Sequence, residues 1–239
     1  MSQTIFVYEN PAEIAAACAA MLEVKCAAAI LARGVCHLAL SGGSTPKALF
    51  ELLATPGWSA RFDWPRIHLW FSDERDVPSD DPQSNFNSAD VALIRKINIP
   101  AGNIHRVQTE LGAANAADGY EAEIRAALPA PFAFDVILLG MGDDGHTASL
   151  FPGTLAGLPD GRLAVAHFVP KVNMQRITFT FGLINAARCV IFLVAGAAKA
   201  NPLGQVLGLK PMPAVLPSAL VQPAGELVWL VDKAALGQG

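Results

Sequence analysis

His146 is the histidine of this sequence with a chemical neighbourhood. It stands in residues 135–153, DVILLGMGDDGHTASLFPG, behind Asp143 and Asp144 and among Gly140, Gly142 and Gly145. An imidazole titrates near neutrality, so it can take a proton and return it at cellular pH. A carboxylate two residues earlier suits orienting the ring or favouring its charged form. The glycines let the backbone turn sharply and approach a ligand closely. The same residues also suit a plain turn, with the aspartates as turn formers and the histidine capping 147–150.

Two further clusters and two lone cations carry possible chemistry. Ser41-Gly42-Gly43-Ser44-Thr45-Pro46 joins an apolar run to a helical one. Gly42 and Gly43 leave backbone N–H groups open to an anion, Ser44 and Thr45 add hydroxyl donors, and the helix N-terminus adds partial positive charge; the segment suits phosphate. It is neither a P-loop, which ends in Gly-Lys-Ser/Thr, nor the spaced-glycine dinucleotide fingerprint. Read as structure alone, it is a tight turn with a Ser/Thr cap and Pro at the first helical position. In Ser72-Asp73-Glu74-Arg75-Asp76-Val77-Pro78, an extended chain puts Asp73 and Arg75 on one face and Glu74 on the other; a solvated, salt-bridged loop is the alternative. Asn85 opens a helix within reach of a ligand. Arg176 stands at the entrance of a strand, and Lys199 just past the end of another.

The elements that must position these groups follow from the apolar pattern. Runs at 35–40, 67–71, 136–139 and 190–194 read as strands, and 136–139 as one buried on both faces. Further strands are predicted at 5–8, 104–107, 163–169, 177–181 and 226–231, the last with Trp229 inward. Helices are predicted at 11–33, capped by Asn10 and closed by Gly34, and at 47–53, 84–96 and 111–128, with Glu121, Glu123 and Arg125 toward water; 216–220 begins a final turn and short helix. Strand–helix alternation of this kind predicts an α/β fold: an open, mostly parallel, Rossmann-like sheet with helices on both faces. Ligands of such sheets bind beyond the carboxyl ends of the strands, where the polar clusters collect. No linker, repeat or long charge run divides residues 1–239, which predicts one domain.

Composition narrows the partners. With 239 residues, 52% of them hydrophobic and 16% charged, the chain can bury a large core. A net charge of -4 with 17 scattered basic residues argues against nucleic acid or an anionic membrane as the main partner. Cys18, Cys26, Cys36 and Cys189 lie among apolar residues without a Cys-x-x-Cys pair, which predicts buried free thiols rather than disulfides or zinc, and a reducing compartment. The first residues lack a basic leader, and Glu23 and Lys25 interrupt the alanine-rich stretch, so no signal peptide or membrane span is expected and the cytoplasm is the expected location.

Taken in order, Leu40-Ser41-Gly42-Gly43-Ser44-Thr45-Pro46, Asp73-Glu74-Arg75 with Val77-Pro78, Ser84-Asn85, residues 142–152, Arg176-Ile177-Thr178 and Lys199-Ala200 resemble the glucosamine-6-phosphate isomerase/6-phosphogluconolactonase family over nearly the full length. The chain is similar to its lactonase branch. Deaminases of the family carry a glutamate after Asp-Gly-His and an aromatic residue after Asp-Glu, whereas this chain has Thr147-Ala148-Ser149-Leu150-Phe151-Pro152 and Arg75. It departs from the family pattern in lacking prolines at 171–175 and in placing Pro202 close behind Lys199. The resemblance implies a glucosamine-6-phosphate deaminase-like fold and metal-independent hydrolysis of 6-phosphoglucono-δ-lactone without a cofactor. It implies His146 as general base, Asp144 orienting it, Arg75 and Asp73 at the reacting carbonyl, and Asn85 near the sugar. Gly42, Gly43, Ser44, Thr45, Arg176 and Lys199 would hold the phosphate. The expected partner is a small sugar-phosphate lactone bound by a monomer or small homo-oligomer. An amino-sugar-phosphate deaminase or isomerase, or a non-catalytic sugar-phosphate binder, are the rival expectations.

Overall fold

The computed structural model describes residues 3–154 and 161–238. In chain order the elements are β1 (Gln3–Tyr8), α1 (Pro11–Arg33), β2 (Cys36–Leu40), α2 (Ser44–Leu53), α3 (Pro56–Ser59), β3 (Ile67–Phe71), β4 (Asp73–Arg75), α4 (Asn85–Ala92), α5 (Ala113–Ala127), β5 (Val136–Leu139), β6 (Ala164–Val169), β7 (Met174–Phe179), α6 (Phe181–Asn185), β8 (Cys189–Val194), α7 (Ala200–Val206) and β9 (Glu226–Asp232). Six strands form one sheet in the order β1-β9-β8-β5-β2-β3, every neighbouring pair parallel. The carboxyl ends of β2, β3, β5 and β8 therefore open on the same edge.

Strand residues alternate between two cores, which is why these runs read as continuously apolar. Leu38, Leu40, Val136, Leu138, Ile191 and Leu193 pack with α1, α2 and α4. Ala39, Ile137, Leu139, Val190, Phe192 and Trp229 pack with α5, α6 and α7 on the other face. Asn10 accepts hydrogen bonds from the N–H groups of Ala12 and Glu13, and Gly34, at φ 85°, donates to Ile30 O, so α1 is closed at both ends. By length and composition α1 would suffice to cross a bilayer; here Ile14, Cys18, Leu22 and Cys26 bury its inner face on the sheet. All four cysteines are buried and free.

A second sheet, β4-β7-β6, is antiparallel and pairs Asp73 with Thr178 and Arg75 with Arg176. Ser72 alone separates β4 from β3; its N–H donates to Leu40 O and its carbonyl accepts from Phe179, fixing the small sheet at the carboxyl edge of the large one. The charged stretch after β3 is thus a strand rather than a solvated loop. Pairing with both β4 and β6 moves the strand predicted at 177–181 to Met174–Phe179, and Thr180 instead caps α6 through Leu183 N–H. The strand predicted at 104–107 reduces to one bridge, Ile104 with Leu69. Helix α2 starts at Ser44, not Lys47. Glu121, predicted to face water, is buried because Arg125, Arg162 and the Leu163 N–H all donate to it.

His37, His68 and His105 form a cluster around Trp70. His68 Nδ1 lies 2.9 Å from His105 Nε2, His105 Nδ1 lies 2.6 Å from Glu123, and Trp70 Nε1 donates to His37 Nδ1 at 3.1 Å. Burial, then the neighbouring His68, His105 and Arg33, push His37 down to about 4. Between that value and the ordinary histidine pKa near 6.5, the unfolded chain binds the proton that folded His37 refuses. Its contribution is therefore complete above about pH 6.5 and is lost as pH falls toward 4, a difference on the order of 2 kcal/mol once partial exposure is allowed for. Urea unfolding at pH 7 and pH 4.5 is expected to show a smaller drop for His37→Gln than for wild type; equal drops would remove His37 as the source.

Candidate active site

The turn after β5 is closed on itself. Gly142 N–H donates to His146 O at 2.8 Å, and Gly145, at φ 76°, supplies the left-handed residue such a reversal needs. Thr147 Oγ1 donates back to Gly140 O at 2.9 Å, and Ser218 Oγ holds Gly145 O at 2.7 Å. His146 Nδ1 is thereby brought to 2.6 Å from Asp144 Oδ1, and its ring stacks on Phe151 at 4.0 Å between centroids. Burial works to raise the Asp144 carboxyl, but hydrogen bonds from His146 and Lys171 outweigh it and hold the group well below the usual carboxylate range. An ionised Asp144 accepts, so Nδ1 carries the proton and Nε2 of the neutral ring is left with its lone pair.

The second wall comes from β4 and α4. Asp73 has both oxygens engaged: Asn85 Nδ2 donates to Oδ1 at 3.1 Å and Ser149 Oγ to Oδ2 at 2.7 Å. Glu74 points the opposite way, as strand alternation requires, and accepts from Ser84 Oγ and the N–H groups of Arg75, Asn85 and Phe86. Its burial raises its pKa against those bonds. This buried carboxylate ties β4 to the start of α4 and so sets Asn85 beside Gly42. A Cβ at Gly42 would lie 1.9 Å from Asn85 Oδ1. Arg75 donates from Nη1 to Gln83 O at 2.5 Å, while its Nε and that of the facing Arg176 are buried and have no hydrogen-bond partner among the described residues. Burial first, then Arg75, lowers the pKa of Arg176, with Asp73 and Glu74 opposing.

A cavity of about 200 Å³ joins these walls, lined by Ser41, Gly42, Gly43, Asp73, Arg75, Asn85, Gly140, Met141, Gly142, His146, Ala148 and Lys199. Of the residues singled out in the sequence, His146, Arg75, Asp73, Asn85, Gly42, Gly43 and Lys199 meet here. Asp144 stands one hydrogen bond behind His146. Ser44 and Thr45 lie outside the lining in the first turn of α2, and Arg176 lies outside it opposite Arg75. A roomier cavity of about 350 Å³ between Gln3, Val206 and Trp229 has no ionisable side chain among its lining residues, so volume alone does not mark the site.

Four participants went unassigned in the sequence. Ser149 fastens Asp73, Glu74 anchors α4, and Lys171 reaches Asp144. Ala148 lines the cavity at φ 47°, a conformation non-glycine residues seldom adopt. The first three roles depend on tertiary contacts that leave no local pattern.

The family model for glucosamine-6-phosphate isomerases/6-phosphogluconolactonase matches residues 9–229. A 6-phosphogluconolactonase from Nostoc sp. is 42% identical, with 98% of each chain covered. One from Synechocystis sp. is 43% identical over 87% of this chain and 86% of its own. The crystal structure of 6-phosphogluconolactonase from Thermotoga maritima matches with a TM-score of 0.85 at 33% identity, covering 97% of this chain and 100% of that one.

Proposed function

This chain belongs to the glucosamine-6-phosphate isomerase/6-phosphogluconolactonase family, and from that premise we infer that it hydrolyses 6-phosphoglucono-δ-lactone to 6-phosphogluconate in the pentose phosphate pathway, with His146 as general base. The observation that carries the reading is the Asp144–His146 pair opening on a cavity that also holds Arg75 and Lys199.

A lactone is an activated ester, so the reaction needs neither a metal nor a covalent nucleophile. His146 Nε2 takes a proton from water as the oxygen attacks the carbonyl carbon, and Asp144 stabilises the imidazolium that forms. Arg75, fixed through Gln83, faces the oxyanion of the tetrahedral intermediate. Collapse breaks the bond to the ring oxygen, which receives the proton from Nε2 and leaves as a hydroxyl. Asp73 and Asn85 border the sugar. The phosphate rests at the N-terminus of α2, on Gly42, Gly43, Ser44 and Thr45, with Lys199 as its cation and Arg176 adding positive charge from behind Arg75. Anchoring the far end of the substrate supplies positioning energy for the reacting carbon.

The protein works as one unit over residues 1–239, a monomer or small homo-oligomer in the cytoplasm with no nucleic-acid or membrane partner. The acidic net charge and the four reduced thiols support that reading.

The test is continuous hydrolysis of freshly generated 6-phosphoglucono-δ-lactone with the spontaneous rate subtracted. A rate above background is expected, with no ammonia released from glucosamine 6-phosphate; ammonia release would transfer the chain to the deaminases, and binding without turnover to the sugar-phosphate sensors. Lys199→Ala is expected to raise KM about tenfold or more, as loss of a charge-assisted contact does, with kcat little changed. A loss confined to kcat would take Lys199 out of the phosphate seat.

A further inference from the structure

We infer that Lys171 is a positioning residue for His146: seated on the Asp144 oxygen that the imidazole leaves free, it shares that carboxylate and so sets how strongly Asp144 holds the imidazolium formed in the reaction. The inference rests on His146 being the base. Lys171 Nζ lies 2.7 Å from Asp144 Oδ2 and 3.0 Å from Asp143 Oδ1, while His146 Nδ1 holds Oδ1 at 2.6 Å. One carboxylate thus serves an imidazole and an ammonium, each on its own oxygen.

The contact is built by the fold rather than by sequence neighbours. Lys171 occupies the 3-10 turn Pro170–Val172 at the tip of the β6–β7 hairpin, and Asn173, left-handed at φ 47°, closes that turn with its N–H on Pro170 O. The same hairpin sets Arg176 against Arg75, so it backs the site at two points, behind Asp144 and behind Arg75. As an ion pair the contact is worth little, because the Lys171 side chain is 51% exposed and solvent screens it. Its effect on a neighbouring titration is larger, because a full charge is added to the carboxylate that steadies the imidazolium. The shift of Asp144 below its ordinary range reflects both partners.

The charged groups facing His146 are Asp144 on its own turn, Lys171 from the hairpin, Asp73 and Arg75 from β4 and Lys199 after β8; Asp143 faces Lys171. Replacing Lys171 leaves all the others in place. Without it, Asp144 binds the imidazolium unopposed and a nearby cation is gone, and both changes favour protonated His146.

Lys171→Met is expected to raise the acid limb of kcat/KM by about half a pH unit at low salt, less at high salt, costing about threefold below that limb and almost nothing above pH 8. Lys171→Arg should restore the wild-type midpoint. An unchanged midpoint, an equal loss at every pH, or a rise in KM alone would overturn the inference. The His146 ring titration followed by NMR in wild type and Lys171→Met decides the matter without turnover. If wild type fails to hydrolyse the lactone, the proposed function falls, and a shifted or unshifted ring titration still upholds or overturns the role of Lys171.

Discussion

His146→Ala is expected to lose about 10²–10⁴-fold in kcat for lactone hydrolysis and to keep KM within a few-fold of wild type. The argument is one of elimination inside the cavity. Asp73 is the other proton acceptor in the lining, and both its oxygens are already engaged by Asn85 and Ser149. Arg75 and Lys199 are cations that cannot accept. Asp144 is held ionised by His146 and Lys171, which makes it a weak base, and it stands outside the cavity lining behind the imidazole. The proposed phosphate seat is on α2 and at Lys199, which the substitution leaves in place, and that is why binding should survive. Steady-state rates corrected for spontaneous hydrolysis measure both constants. Full activity in the variant would remove the general-base role, and a rise in KM with unchanged kcat would make His146 a binding group.

Much of the scaffold was legible because parallel strands buried on both faces leave an unbroken apolar signal. β3 and β5 fall where the runs 67–71 and 136–139 predicted them, and Asn10 and Gly34 bound α1 as predicted. The collection of His146, Arg75 and Lys199 at one edge was legible for the same reason: each lies just past such a strand. The small sheet was harder to read. β4 is Asp-Glu-Arg, with no apolar alternation, and it exists because Met174–Phe179 pairs with it from 101 to 105 residues along the chain, Arg75 with Arg176 and Asp73 with Thr178. Burial of charge was likewise invisible. Glu121 meets Arg162 at a separation of 41 residues, Ser149 meets Asp73 at 76, and Lys171 meets Asp144 at 27. Helical periodicity put Glu121 outside because the arginine that draws it inward belongs to another element. Strand alternation points Glu74 away from Asp73 and Arg75, as found, but its destination at the start of α4 depends on packing.

Gly142→Ala is expected to lower kcat by about 100-fold while leaving every proposed catalytic side chain chemically intact. A Cβ at this position would lie 2.0 Å from His146 Nδ1, 2.2 Å from its Cε1 and 2.7 Å from Asp144 Oδ1. Those distances are far inside van der Waals contact, so the imidazole, the carboxylate or the backbone must move by about an ångström. The ring has little room to yield. Phe151 stacks on it, Asp144 holds its Nδ1, and the His146 carbonyl is bonded to the N–H of Gly142 itself. Gly142 is not among the residues at positive φ, so alanine brings no backbone strain of its own, and neither core includes this position. The variant should therefore fold, with KM near wild type because Lys199 and the α2 N-terminus are untouched. Near-wild-type turnover would mean that the turn relaxes without disturbing the base. A loss of turnover matched by loss of the folded near-ultraviolet signal would trace the effect to stability instead. A fall in kcat alone, in a folded protein that still binds, would show that catalysis depends on where His146 and Asp144 are held as well as on their being present.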